Sequence, residues 1–152
     1  MKISIGADER LTVVEAALEL LKARGDEVTW YGPKAGETDP WPQVARKVGE
    51  DVSEGRAEEG ILFCWTGTGV SIAANKVPGV RAALCVDAET ARGARLWNNA
   101  NVLCLSMRLT SEIMLEEIFE AWFETQYEPT ETDEACLTMI DLMDDQRREG
   151  NQ

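Results

Sequence analysis

The chain has 152 residues, 28 of them acidic and 15 basic, giving a formal charge of −13, and it contains no histidine. That length suits one domain around one core, and an apolar content of 44% supplies the core. The charge repels nucleic-acid phosphates and anionic membrane surfaces, so neither is an expected partner. Without imidazole there is no Ser-His-Asp or Cys-His nucleophile and no HExxH zinc site.

Cys64, Cys85, Cys104 and Cys136 form no CxxC pair, which removes zinc ribbons and thioredoxin-like motifs. Three of them sit in or at the end of hydrophobic runs, as reduced thiols of a cytoplasmic protein do. Met1 to Gly6 alternates apolar and polar residues and meets Asp8-Glu9-Arg10, so no export signal is expected. Nor does any apolar run reach the ~18 residues of a spanning helix. No metal and no cofactor is expected.

In chain order, Ile3-Ser4-Ile5 reads as a strand. Val13, Val14, Ala17, Leu18 and Leu21 form a helical stripe stopped by Gly25. Glu27 to Trp30 is a second strand. After Pro40 and Pro42 comes a helix with Val44, Ala45, Val48 and Val52 on one face, closed by Gly55. Gly60 to Phe63 is a continuous apolar run, the pattern of a strand buried on both faces. Ala82 to Cys85 and Val102 to Leu105 repeat it, with a helix from about Ala88 to Trp97 between them. Ile113 to Phe123 and Leu137 to Met143 complete the predicted helices. Such alternation predicts an α/β fold: a Rossmann-like three-layer sandwich with a five-stranded, mainly parallel sheet and a C-terminal helix, over residues 1–152. In such sheets a ligand sits beyond the carboxyl ends of the strands.

There, Cys64-Trp65-Thr66-Gly67-Thr68-Gly69-Val70-Ser71 leads into Ile72-Ala73-Ala74-Asn75-Lys76. Two glycines among hydroxyl residues at a helix start present backbone N–H groups to an anion or oxyanion. They equally suit a turn that needs glycine only for positive φ. It is not a Walker loop, since GK[ST] is absent. Cys64 is the one plausible thiol nucleophile or base, and a strand-end cysteine is also a common inert hydrophobe.

These segments, with Ile3 to Asp8, Pro78 to Cys85 and Asn98 to Leu103, resemble the ribose-5-phosphate isomerase B and galactose-6-phosphate isomerase family over nearly the whole chain. The resemblance implies aldose–ketose isomerisation through a cis-enediol, with Cys64 as the base and Thr66 supporting its thiolate. It implies that the amides of Gly67, Thr68, Gly69, Val70 and Ser71 stabilise the oxyanion, and that Asp8 holds sugar hydroxyls. A glutamate base used by another branch falls at Val70, which leaves the cysteine chemistry.

Departures from that family pattern are specific. Glu9 and Trp97 stand where relatives carry histidines, the second of which opens the sugar ring, and an indole N–H is only a donor. Trp65 replaces a glycine. The basic cluster that clamps phosphate corresponds to Thr132 to Cys136, and from Leu109 to Gln146 there are twelve acids and no Lys or Arg. Arg108 matches a phosphate-binding arginine. Glu9, Trp65, Trp97 and Asn98 are therefore candidate contacts for an altered sugar, and the two tryptophans are also read as packing residues.

Three readings stand: a sugar or sugar-phosphate isomerase, a binding homologue that lost catalysis, and one subunit of a hetero-oligomeric isomerase. The resemblance implies a homodimer or tetramer with a site shared between chains. It also places the segment 128–152 as a helix on a partner subunit. A dimer through the strand-end face would bury Trp65 or Trp97.

Overall fold

A computed structural model describes residues 1–150, with side chains described to Gln146. Five strands, β1 (Lys2–Ala7), β2 (Glu27–Tyr31), β3 (Glu59–Cys64), β4 (Ala82–Leu84) and β5 (Val102–Ser106), lie in the order β2-β1-β3-β5-β4. All four pairings are parallel. The connections run through α1 (Thr12–Ala23), α2 (Trp41–Ser53), α3 (Thr68–Ala74) and α4 (Ala88–Asn98), and α5 (Glu112–Glu124) and α6 (Glu131–Gly150) follow the sheet.

β3 is buried at every residue, and its side chains alternate between two cores. Ile61 and Phe63 join Leu103, Leu105, Ile118 and Trp122 on the side of α1, α4 and α5. Leu62 and Cys64 join Val44, Val48, Val70 and Cys104 on the side of α2 and α3. Gly6 and Gly60 let α2 approach this second face: a Cβ at Gly6 would stand 2.5 Å from Val44 Cγ1, and one at Gly60 would stand 2.8 Å from Val48 Cγ1. Beneath the first face, buried Trp122 donates its Nε1–H to Glu59 Oε2 (2.6 Å), and Arg95 Nη2 pairs with Glu59 Oε1 at 2.7 Å. Burial pushes the Glu59 carboxyl up, and Arg95 and the indole donor work against that shift.

Two boundaries differ from the sequence reading. β4 stops at Leu84, so buried Cys85 lies just past the strand, with its N–H on Cys104 O. The last helix begins at Glu131 rather than Leu137 because a Thr130 cap starts it. Asp133 N–H donates to Thr130 Oγ1 at 3.1 Å, and that hydroxyl donates to Asp133 Oδ2 at 2.6 Å. Glu131, Asp133 and Glu134 fill its first turn, where the helix dipole favours acids. Of the predicted segment 128–152, residues 151–152 lie outside the described residues. Met139, Ile140, Leu142 and Met143 of α6 are exposed. Among the described residues no helix is long and apolar enough to cross a membrane.

Candidate active site

The parallel register sets the strand ends side by side. Ala7 pairs with Phe63 and Cys64 with Ser106, so the next residues of β1, β3 and β5 emerge as neighbours at one edge. Backbone hydrogen bonds lock the two central loops together, since Met107 N–H donates to Cys64 O (3.0 Å) and Arg108 N–H to Trp65 O (3.1 Å). Ser106 strengthens the join. Its hydroxyl donates to Trp65 O at 2.9 Å and accepts from Leu109 N–H at 3.2 Å. The carbonyl groups around Cys64 are thereby fixed before any ligand arrives.

Cys64 is only 5% exposed, at the rim of the α2/α3 core. The loop after it folds back sharply at Gly67, whose φ is +75°. A Cβ there would stand 2.6 Å from Leu84 Cδ1 and 2.9 Å from the Leu105 carbonyl carbon, so both conformation and space require glycine. Gly69 answers to a different constraint. It lies inside α3, and a Cβ on it would stand 3.2–3.3 Å from three atoms of the Trp41 ring. One glycine of the pair thus serves the turn, and the other seats an aromatic ring beside the Cys64 loop.

Thr66 and Thr68 are exposed and share a hydroxyl hydrogen bond of 2.7 Å. Val70 is wholly buried among core residues, so of this candidate contact only the backbone faces the loop. The Ser71 hydroxyl bonds to the Cys104 sulfur, which burial pushes far above the ordinary thiol range. N–H groups of the first turn of α3 have no intrahelical acceptor. Trp65, 54% exposed, and Arg108, also exposed, lie side by side past the ends of β3 and β5. Arg108 makes no ion pair among the described residues.

Asp8 follows β1 directly and is half-buried. Its Oδ1 is buried without a hydrogen-bond partner among the described residues. Burial raises its pKa, backbone hydrogen bonds oppose that shift, and adjacent Glu9 adds to it. The 34–39 loop returns over this segment: Glu9 bridges Thr38, and Asp39 N–H donates to Asp8 O at 2.9 Å. That return delivers Trp41 to Gly69.

Trp97 and Asn98 are placed elsewhere. They lie in the last turn of α4, over the start of β4, where Arg81 Nε donates to Asn99 O. This is the opposite end of the strands from Cys64, and β4 is two strands away from β3. Trp97 stacks on Gly93 and lines a groove of about 800 Å³ with Val80, Ala82, Leu84, Ala94 and Ile140. One chain therefore gathers Asp8, Glu9, Cys64 to Ser71 and Arg108, and leaves Trp97 and Asn98 apart. A dimer through the strand-end face would cover Trp65, and Trp97 belongs to a different surface.

Two residues escaped the sequence reading. Trp41 was legible only as an aromatic between two prolines at a helix start. Ser106 was legible only as a polar residue ending an apolar strand.

The family described as ribose/galactose isomerase matches residues 3–140. Galactose-6-phosphate isomerase subunit LacB of Clostridium acetobutylicum is 35% identical, with 100% of this chain and 90% of that protein covered. D-erythrulose-4-phosphate isomerase of Pectobacterium atrosepticum is 37% identical (84% and 86%), and ribose-5-phosphate isomerase B of Escherichia coli is 36% identical (84% and 86%). Among solved structures, ribose-5-phosphate isomerase B of Clostridium thermocellum superposes with a TM-score of 0.92 at 34% identity, over 97% of this chain and 99% of that one. The Mycoplasma genitalium enzyme with bound ribulose-5-phosphate gives 0.88 at 35% identity (95% and 96%).

Proposed function

The chain belongs to the ribose/galactose isomerase family, and on that premise we propose that it interconverts an aldose and a ketose phosphate by proton transfer at Cys64. One observation carries the reading. A near-buried thiol ends the central strand, beside a carboxyl with an unpartnered oxygen and a loop whose amides and glycines are fixed in place. The thiolate removes the proton from the carbon beside the carbonyl and returns it to the neighbouring carbon. Asp8 carries the hydroxyl proton between the two oxygens, and N–H groups of the Gly67–Val70 turn hold the enediolate, since the Ser71 N–H already donates to Gly67 O. Arg108 holds the phosphate, and Trp41 and Trp65 wall the sugar.

The placement of Trp97 and Asn98 supports a site completed by a second chain, identical or unlike, with α6 lying on that chain. The LacB relative is named as a subunit, which supports the unlike case. Incubation with pentose, tetrose and hexose phosphates in D₂O, followed by NMR at the carbon next to the carbonyl, tests the activity. Deuterium incorporation is expected with at least one of them. No incorporation with any, with or without a co-expressed related chain, contradicts the reading and leaves a binding homologue.

A further inference from the structure

We propose that Asn75 is a positioning residue of this site: its side-chain amide ties α3 to the edge strand β4 and so fixes the aim of the Gly67–Val70 N–H groups beside Cys64. The inference rests on the isomerase reading for what those groups hold, and adds how they are held.

α3 has seven residues, Thr68–Ala74. Isolated helices shorter than about 12–15 residues are marginal in water, so this one takes its place from its neighbours. Its buried residues are Val70 and Ala74, four apart on one line of the helix, and both join the α2/α3 core. Apolar burial is non-directional. It sets the depth of the helix but neither its rotation nor its sliding, and directional bonds must supply those restraints.

Asn75 supplies them at the carboxyl end. Its Nδ2 donates to Ala82 O at 2.8 Å and to Ser71 O at 3.0 Å, and its Oδ1 accepts from Ala82 N–H at 2.9 Å. Because β4 ends the sheet, the N–H and C=O of Ala82 turn to the open side, where a further strand would bond. The Asn75 amide takes that place, donor to acceptor and acceptor to donor. Its bond to Ser71 O joins the same amide to the last turn of α3. At the other end of the helix, Leu84 Cδ1 lies 2.6 Å from where a Cβ on Gly67 would stand. One three-residue strand thus bears both ends of α3. Asn75 belongs to the Ser71–Lys76 segment that carries part of the family resemblance, and proton transfer itself gives it no task.

The consequence lies at the amino end. Ser71 N–H is engaged by Gly67 O, whereas the N–H groups of Thr68, Gly69 and Val70 stand in the first turn without intrahelical acceptors. Rotation or sliding of α3 re-aims all three together. Arg108, on the loop after β5, keeps its place, so loosening the helix weakens the hold on the enediolate more than the hold on the phosphate.

The test compares the native protein with Asn75→Ala and with Ser53→Ala. The second variant removes a 2.6 Å bond from Ser53 Oγ to Pro78 O, which steadies the loop between α3 and β4 without involving either element. Iodoacetate and iodoacetamide differ by one negative charge. The ratio of their alkylation rates at Cys64 therefore reads the field of the N–H groups with no sugar present. Asn75→Ala is expected to lower that ratio roughly two- to fivefold, the scale of one charge at a helix terminus, and Ser53→Ala to keep it. Cys85 and Cys104 staying unlabelled in the same samples reports an intact fold. With a sugar phosphate that the native protein turns over, Asn75→Ala is expected to lose roughly 10- to 100-fold in kcat with KM within about twofold. A native ratio and a native kcat in Asn75→Ala, whatever its urea midpoint, overturn the proposal. Equal losses in Ser53→Ala also overturn it, since they trace the effect to general loosening. A ratio that falls in Asn75→Ala alone, in a protein that turns over no sugar, upholds the positioning and contradicts the isomerase reading instead.

Discussion

The ring of Trp41 lies flat on Gly69, with three ring atoms 3.2–3.3 Å from where a Cβ would stand. An added methyl forces the ring to give by a few tenths of an ångström, although alanine is otherwise favoured in a helix by about 1 kcal/mol. Gly69→Ala is therefore expected to raise KM in the native background and to be neutral or stabilising in a Trp41→Ala background. Trp41→Ala alone is expected to raise KM up to about tenfold, the scale of one aromatic contact. A double-mutant cycle on KM and on urea midpoints checks the coupling, and simple additivity would mean that the ring does not act through Gly69.

Gly67 is the less tolerant position. Its left-handed backbone and its approach to the Leu105 carbonyl are expected to make Gly67→Ala cost about 2–4 kcal/mol, a left-handed penalty plus overpacking. Denaturant unfolding measures it, and a loss below about 1 kcal/mol would show that the turn relaxes.

The alternation of strands and helices was legible because parallel strands carry continuous apolar runs, Gly60 to Phe63 foremost. Cys64, Asp8 and the glycine loop were legible because they occupy strand ends. Periodicity does not show which end of the strands a helix residue reaches, so Trp97 gave no sign of lying opposite Cys64. The role of Gly69 was hidden for a related reason: its neighbour Trp41 is distant in sequence and arrives through the Glu9–Thr38 bridge. The acidic stretch at Thr132 to Cys136 read as a missing phosphate clamp, and in the fold its acids serve the start of α6.

Asp51 is buried next to β1, where burial alone would raise its pKa. Ser4 Oγ (2.5 Å), Arg56 Nε (2.7 Å) and the Tyr31 hydroxyl donate to it and bring the carboxyl below its ordinary 3.8. Because the folded value is the lower one, its contribution is present above 3.8 and is lost as pH falls through the folded value. Urea midpoints between about pH 5 and 3 are expected to fall more steeply in the native protein than in Asp51→Asn. Parallel curves would assign acid sensitivity to other groups.

The four thiols are expected to react in a fixed order. Cys136 is exposed, Cys85 is buried with its pKa pushed up to about 12, and Cys104 is shifted further in the same direction. Iodoacetamide followed by peptide mass spectrometry is expected to label Cys136 first and Cys64 next, with Cys85 and Cys104 labelled only after unfolding. A bound sugar phosphate is expected to slow labelling at Cys64 alone. Equal protection of Cys136 would place the ligand away from the strand ends.

The central claim is that the carbon-bound proton crosses through the Cys64 sulfur. Deuterium incorporation beside the carbonyl of a sugar phosphate, compared between the native protein and Cys64→Ala at matched circular dichroism, tests it most directly. The variant is expected to lose roughly 10²–10⁴-fold in exchange rate while keeping its fold. Exchange at the native rate in Cys64→Ala would contradict the claim.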